Sequence, residues 1–262
     1  MHTAVSPSPP VIVTRPEREA GPWAQALQAE GVRAEVLPLI EIAAVPDASG
    51  LQVAWAQLQF CQAVMFVSAN AVRFFMAARP RGQVLPACRA WSTGPGTQAA
   101  LITTGWPADQ IDSPPADSAQ FDSEALWAQV AAQARPGARV FIVRGADARG
   151  QLAGRDWLAQ QLVASGAQVQ QAVAYVRRAP ALSPAQHQRA LQAMTDGSWW
   201  LFSSSEAAQH LLQACPDLSL GHARALATHP RIAQRLLQAG WGQVCQVPAG
   251  LAAQAMSIKS LP

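Results

Sequence analysis

MFVSANAV (65–72) and LFSSSEAA (201–208) are the two stretches on which the fold turns. Each opens on apolar residues, passes through a small hydroxyl residue and continues with a helical pattern, the form of a buried strand feeding a helix. They align with Ser68 opposite Ser204. Further on, RAWSTGPGTQAALITTGW (89–106) aligns with RALATHPRIAQRLLQAGW (224–241), setting Thr93 opposite Thr228 and Pro95 opposite Pro230. The two offsets, 136 and 135 residues, differ by one, so both blocks belong to one tandem unit. A weaker echo pairs VTRPE (13–17) with IVRGA (142–146). So long a period indicates two similar α/β lobes and excludes a solenoid of short repeats.

The surrounding sequence reads the same way. Strands are predicted at VIVT (11–14), VRAEVLPLIEI (32–42), AVMFV (63–67), RAWST (89–93), ARVFIV (138–143), QVQQAVAYV (168–176), SWWLF (198–202), RALAT (224–228) and QVCQV (243–247). Helical patterns with one apolar face separate them, which predicts a doubly wound α/β protein with parallel sheets. Gly105 and Gly240 stand at matching places where a helix stops and a strand begins. Thr14-Arg15-Pro16-Glu17 has the S/T-x-x-E form of a helix start, and Ser203 with Glu206 reads as a capping box.

Half of the 262 residues are hydrophobic and 13% are charged, with a formal net charge of +3. That composition is globular. Lys259 is the only lysine, and the arginines are scattered, so no phosphate-tracking surface is expected and nucleic acid is excluded as a partner. Arginine does suit carboxylates, because its fork donates two parallel hydrogen bonds. No stretch reads as a membrane span or a signal peptide. Cys61, Cys88, Cys215 and Cys245 stand apart, without CxxC or nearby His ligands, and read as free thiols of a cytoplasmic protein. No metal site is expected.

In open α/β sheets ligands bind beyond the carboxyl ends of the strands, where helix N-termini offer unpaired N–H groups to anions. Four turns fit: Ser68-Ala69-Asn70, Thr93-Gly94-Pro95-Gly96-Thr97, Ser203-Ser204-Ser205 and Thr228-His229-Pro230-Arg231. Gly94 and Gly96 would let a ligand approach the backbone. Each turn alone is also an ordinary capped helix start. GPGT has no P-loop lysine, and no G-x-G-x-x-G follows a strand, which disfavours nucleotide binding. His210 and His222 read as solvated, while His229 starts a helix. Arg144 and Arg149 are read on a strand-to-helix turn, either receiving carboxylates or solvated. Tyr175, the only tyrosine, ends an apolar strand; its hydroxyl either reaches the surface or donates a proton in a cleft.

Taken together, these segments resemble the uroporphyrinogen-III synthase family. The likeness runs from about Val11 to Gly250 through TRP (14–16), PLIEI (38–42), VMFVSANAV (64–72), GPGTQAAL (94–101), SEAL (123–126), VRG (143–145), AYVRR (174–178), LFSSSEA (201–207) and HPRIAQRLLQAGW (229–241). It departs from the commoner family pattern at Thr93 and Val67. The resemblance implies two similar lobes joined by a two-stranded β-ladder, with the active site in the cleft between them. Residues 1–37 and 178–262 would form one lobe, 43–171 the other, and 38–42 with 172–177 the ladder. It implies a cofactor-free, monomeric lyase of haem biosynthesis that closes hydroxymethylbilane into uroporphyrinogen III with ring D inverted through a spiro intermediate. The preceding hydroxymethylbilane synthase is then a candidate partner. Tyr175 and Thr97 would be catalytic. Arg15, Ser68, Ala69, Asn70, Gly94, Gly96, Arg144, Ser203, Ser204, Ser205, Thr228 and His229 would hold the substrate's carboxylates. The rival expectation is a two-lobed small-molecule sensor, which would retain its ligand unchanged.

Overall fold

The computed structural model describes residues 9–118, 120–152 and 156–261. The chain divides into two compact units, one of Met1–Glu41 with Arg178–Pro262 and one of Ile42–Arg177. The first opens with β1 (Val11–Val13), α1 (Glu17–Ala29) and β2 (Ala34–Val36). Strand β3 (Glu41–Ala44) leads into the second, which continues with α2 (Ser49–Gln57), β4 (Ala63–Phe66), α3 (Ala69–Ala77), β5 (Arg89–Ser92) and α4 (Pro95–Thr103). After β6 (Ile111–Asp112) come α5 (Ser123–Val130), β7 (Arg139–Ala146), α6 (Trp157–Ala164) and β8 (Gln168–Arg178). The chain then completes the first unit with α7 (Pro184–Ala193), β9 (Trp199–Phe202), α8 (Ser205–Ala214), β10 (Arg224–Ala227), α9 (Pro230–Gln238), β11 (Gln243–Gln246) and α10 (Leu251–Lys259).

The sheets run β11-β10-β9-β1-β2 and β6-β5-β4-β7-β8-β3. Pairings along β11 to β2 and along β6 to β8 are parallel. With β3 set aside, the two orders coincide, matching β9 to β4, β10 to β5 and β1 to β7. The repeat seen in the sequence is therefore a repeat of topology, permuted because one unit is assembled from both halves of the chain. Two similar doubly wound lobes were expected, and two are found.

Alternate residues of each central strand serve opposite faces, as the pleat requires. In the second unit Val64 and Phe66 join Leu51, Trp55, Phe75 and Trp106 in one cluster, while Ala63 and Met65 join Leu126, Leu158 and Leu162 in the other. Helices thus cover both faces of a parallel sheet, which leaves its central strands almost wholly apolar. In the first unit Val11, Val13 and Leu201 pack with α1 and α10, and Trp200, Phe202 and Trp241 form an aromatic group with centroids 5.3–6.2 Å apart. Gly105 and Gly240 take φ of 93° and 91° where the helix gives way to the next strand, as predicted.

Three local readings are corrected. VRAEVLPLIEI is two strands in two sheets, not one. Pro38 has no N–H to give a ladder, and the segment around it instead donates from Leu37 and Leu39 to the carbonyls of Val13 and Thr14. Thr14 is not a helix cap: its hydroxyl donates to Leu201 O at 2.7 Å, and α1 begins after Pro16 without a side-chain cap. Ser203 does not cap α8 either. Ser204 does, accepting from Glu206 N at 3.2 Å, because Ser203 is still leaving β9.

At the sheet edge, Arg89 donates twice to Asp112, at 2.6 and 2.7 Å, and Gln133 donates to the same carboxylate at 3.0 Å. Burial pushes the Asp112 carboxyl up, but these hydrogen bonds and the Arg89 charge outweigh it and hold it below the usual range. A depressed folded-state pKa contributes stability above the unfolded value, and this is lost as the pH falls through the folded one. Asp112→Asn is therefore expected to lower the denaturation midpoint at pH 7, with the gap to wild type closing below about pH 4. Denaturant titrations at several pH values would read this, and a gap constant down to about pH 2 would contradict it.

Candidate functional site

Each sheet has one place where its order reverses, between β4 and β7 in the second unit and between β9 and β1 in the first. Crevices at such places, beyond the carboxyl ends of the strands, are where open α/β sheets bind ligands. The predicted site residues gather at these strand ends, and the second unit holds the more developed group.

There Ser68 leaves β4 and caps α3, accepting the Ala71 N–H at 3.1 Å. Its Oγ also lies 3.1 Å from the Tyr175 hydroxyl. Tyr175 is only 4% exposed, so its ring belongs to the core and does not lie on the surface. Its ring stacks on Phe74 at 6.0 Å and faces Gly145 of β7. Asn70 is buried in the first turn of α3 beside Ala69 and accepts from Arg73.

One strand over, Ser92 and Gly94 exchange hydrogen bonds of 2.8 and 3.2 Å, and Thr93 Oγ1 donates to Val67 O at 3.2 Å. These tie the Gly94–Pro95 turn to the Ser68 turn. Thr97 is buried in the first turn of α4, its N–H donating to Gly94 O at 3.1 Å. Gly94 does not open the backbone as expected: a Cβ there would fall 2.9 Å from Phe121 Cβ, so that space is filled. The same construction at Gly96 meets nothing within 4 Å.

The first unit repeats the plan. Ser204 caps α8 and His229 caps α9, its Nδ1 accepting from Arg231 N at 3.1 Å. Ser205 Oγ accepts from Arg235, and Thr228 N–H donates to Phe202 O. The arginines repeat too. Val13 pairs with Leu201 and Ile142 with Met65, so Arg15 and Arg144 hold equivalent positions two residues on. Both are engaged locally. Arg144 is not on a turn, as the sequence suggests, but inside β7, buried, donating to Asp156 and to Gln171 Oε1 at 2.9 Å. Arg15 lies 3.9 Å over the Trp23 ring and 3.8 Å from Glu19. Burial lowers its pKa and the Glu19 charge opposes this. Arg149 is exposed, in the loop after β7.

His210 corrects another expectation. It is buried, with Nδ1 2.7 Å from Leu39 O, because its face of α8 packs on the Leu37–Ile40 segment. His222 is exposed, as read. Burial pushes the Cys88 thiol up to about 12. Two shallow cavities, about 400 and 360 Å³, are lined by Gln28, Arg33 and Glu35 and by Gln57, Phe60 and Arg139, and neither includes a predicted site residue. No helix among the described residues is long and apolar enough to cross a membrane.

Sequence reading gave no sign that Gly145 and Phe74 lie against the Tyr175 ring, or that Asp156 and Gln171 accept from Arg144. VRG was quotable as a motif, but nothing local revealed what the glycine faces.

Comparison with known proteins gives the family. Among curated proteins none matches the chain significantly. Two solved structures share its fold. The uroporphyrinogen-III synthetase of Helicobacter pylori is 16% identical with a TM-score of 0.62, covering 97% of this chain and 100% of that one. A mutant uroporphyrinogen III synthase of Thermus thermophilus is also 16% identical, with a TM-score of 0.55 and coverage of 96% and 97%. The family model for uroporphyrinogen-III synthase HemD matches residues 21–250, so the chain belongs to the uroporphyrinogen-III synthase family.

Proposed function

We propose that this protein is a cytoplasmic, monomeric lyase that cyclises hydroxymethylbilane to uroporphyrinogen III. The observation that carries the reading, beyond family membership, is the part-buried pair of Tyr175 and Ser68 hydroxyls 3.1 Å apart, with Ser68 at the carboxyl end of β4. Loss of water from the hydroxymethyl group, on the terminal ring opposite ring D, requires a proton at the departing oxygen, and Tyr175 is the donor in this reading. The azafulvene left there is attacked by the substituted carbon of ring D, at the opposite end of the chain. The resulting spiro intermediate fragments and recloses with ring D reversed. Nucleophile and electrophile both belong to the substrate, so the protein's part is to hold one folded geometry and exclude water.

The eight carboxylates of the substrate need many donors, and charged residues make up only 13% of the chain. Helix starts supply the alternative: the N–H groups at Ser68-Ala69-Asn70, at Gly96, at Ser203–Ser205 and at His229. Arg15 and Arg144 already have local partners, so they enter as electropositive walls behind those amides. Thr97 sits in the first turn of α4 as a second hydroxyl for the site.

The test is a coupled assay in which hydroxymethylbilane is generated in place and the product isomers are separated. Type III product at a rate proportional to protein is expected. Only the type I isomer of spontaneous closure, or bilane retained unchanged, would overturn the reading, and retention would favour a sensor.

A further inference from the structure

We propose that Gly145 is a positioning residue for the Tyr175 hydroxyl, with Ser68 setting the direction of that hydroxyl's hydrogen bond. The role given to Tyr175 rests on the function proposed above; the seat that holds it rests on geometry alone.

Strands β7 and β8 pair regularly up to Arg144 opposite Val173, and then Gly145 falls opposite Tyr175. Ala174 is therefore an extra residue, a bulge in β8. The burial of both Ala174 and Tyr175 breaks the strand's alternation at the same point. Bulges re-aim a side chain. Here the bulge swings the tyrosine ring over the neighbouring strand at a residue that has no Cβ.

The fit leaves no room for one. A Cβ on Gly145 would lie 2.5 Å from Tyr175 Cζ, 2.6 Å from Cε2 and 3.0 Å from the hydroxyl oxygen. Gly145 does not take a positive φ, so its missing side chain answers to this contact and not to backbone conformation. Phe74 stacks on the ring at 6.0 Å, so the ring cannot move freely away.

Ser68 completes the arrangement. One lone pair of its Oγ takes the Ala71 N–H; either hydroxyl can donate across the 3.1 Å contact with Tyr175, and here that proton is assigned to Ser68. The tyrosine proton is left to point at the departing hydroxyl. The chain of donors runs from the α3 N-terminus through Ser68 and Tyr175 to the substrate, and each link polarises the next.

Because Tyr175 is the only tyrosine, protein labelled with ¹³C at tyrosine Cζ gives one resonance, which reports the seat without any substrate. Gly145→Ala is expected to move that resonance and to lower kcat by roughly 100-fold, with KM within about twofold of wild type. In a Tyr175→Phe background Gly145→Ala should cost no further kcat. Ser68→Ala, which introduces no clash, should move the resonance and lower kcat about tenfold, and Ser68→Thr should restore both.

An unmoved resonance in Gly145→Ala, or a kcat cost that adds in full to that of Tyr175→Phe, overturns the proposal. Should Gly145→Ala fail to fold, Ser68→Ala decides by the same resonance. Wild-type protein that makes no type III isomer would refute the proposed function, while the labelled tyrosine would still report whether Gly145 and Ser68 hold it.

Discussion

Tyr175→Phe is expected to reduce kcat by roughly 100-fold while leaving the fold intact, the scale on which a positioned proton donor contributes. The substitution removes one oxygen. The ring keeps its stack on Phe74 and its place against Gly145, and Ser68 keeps the Ala71 N–H. Only the 3.1 Å contact between hydroxyls is lost, so stability should fall by about 1 kcal/mol at most. A second signature follows from the competing chemistry. Bilane that is bound but slowly turned over escapes and closes without inversion, so the type I share should rise as kcat falls. Wild-type turnover in a correctly folded Tyr175→Phe protein would end the donor role.

Trp55→Ala carries the largest expected effect on stability. Trp55 is 1% exposed on α2, stacks on Phe75 at 4.7 Å and donates its indole N–H to the Phe75 carbonyl at 3.0 Å. Phe75 meets Phe66 of β4 edge-on at 5.6 Å, and Phe66 meets Trp106 at 5.9 Å. Truncation would open a cavity in this aromatic chain and leave a buried carbonyl without its indole donor. A loss of about 4 kcal/mol is expected, read from urea unfolding followed by circular dichroism. A loss under about 1 kcal/mol would mean the cluster closes over the gap. Since Phe75 lies on α3, the helix that Ser68 caps, the variant should also weaken turnover at temperatures where it remains folded.

Much of this was legible in the sequence because duplication writes itself in small, local signals. Ser68 opposite Ser204 marked equivalent helix starts, and the structure finds both as caps. The echo of VTRPE with IVRGA placed Arg15 against Arg144, and strand register places them together too. What stayed hidden depends on pairing across the chain. The hydroxyl of Tyr175 meets that of Ser68 across 107 positions, and neither neighbourhood announces the other. The bulge at Ala174 is a property of how β8 lies on β7, so a strand pattern read from β8 alone shows nothing. His210 looked solvated because histidine often is; it is buried because the Leu37–Ile40 segment passes over its helix. Arg144 looked like a turn residue because Asp156 and Gln171, 12 and 27 residues on, reach it only in the folded sheet.

Strand β1 sits in its sheet between β2 and β9, and β9 begins only at Trp199. During synthesis the apolar VIV segment therefore leaves the ribosome with one lasting neighbour and waits for the other while the whole of Ile42–Arg177 is made. At ordinary elongation rates that wait is on the order of ten to thirty seconds. The contiguous unit has every strand it needs before the split one does, so nascent chains halted soon after β8 has emerged should already protect it from protease while Val11–Val36 stays open to chaperones.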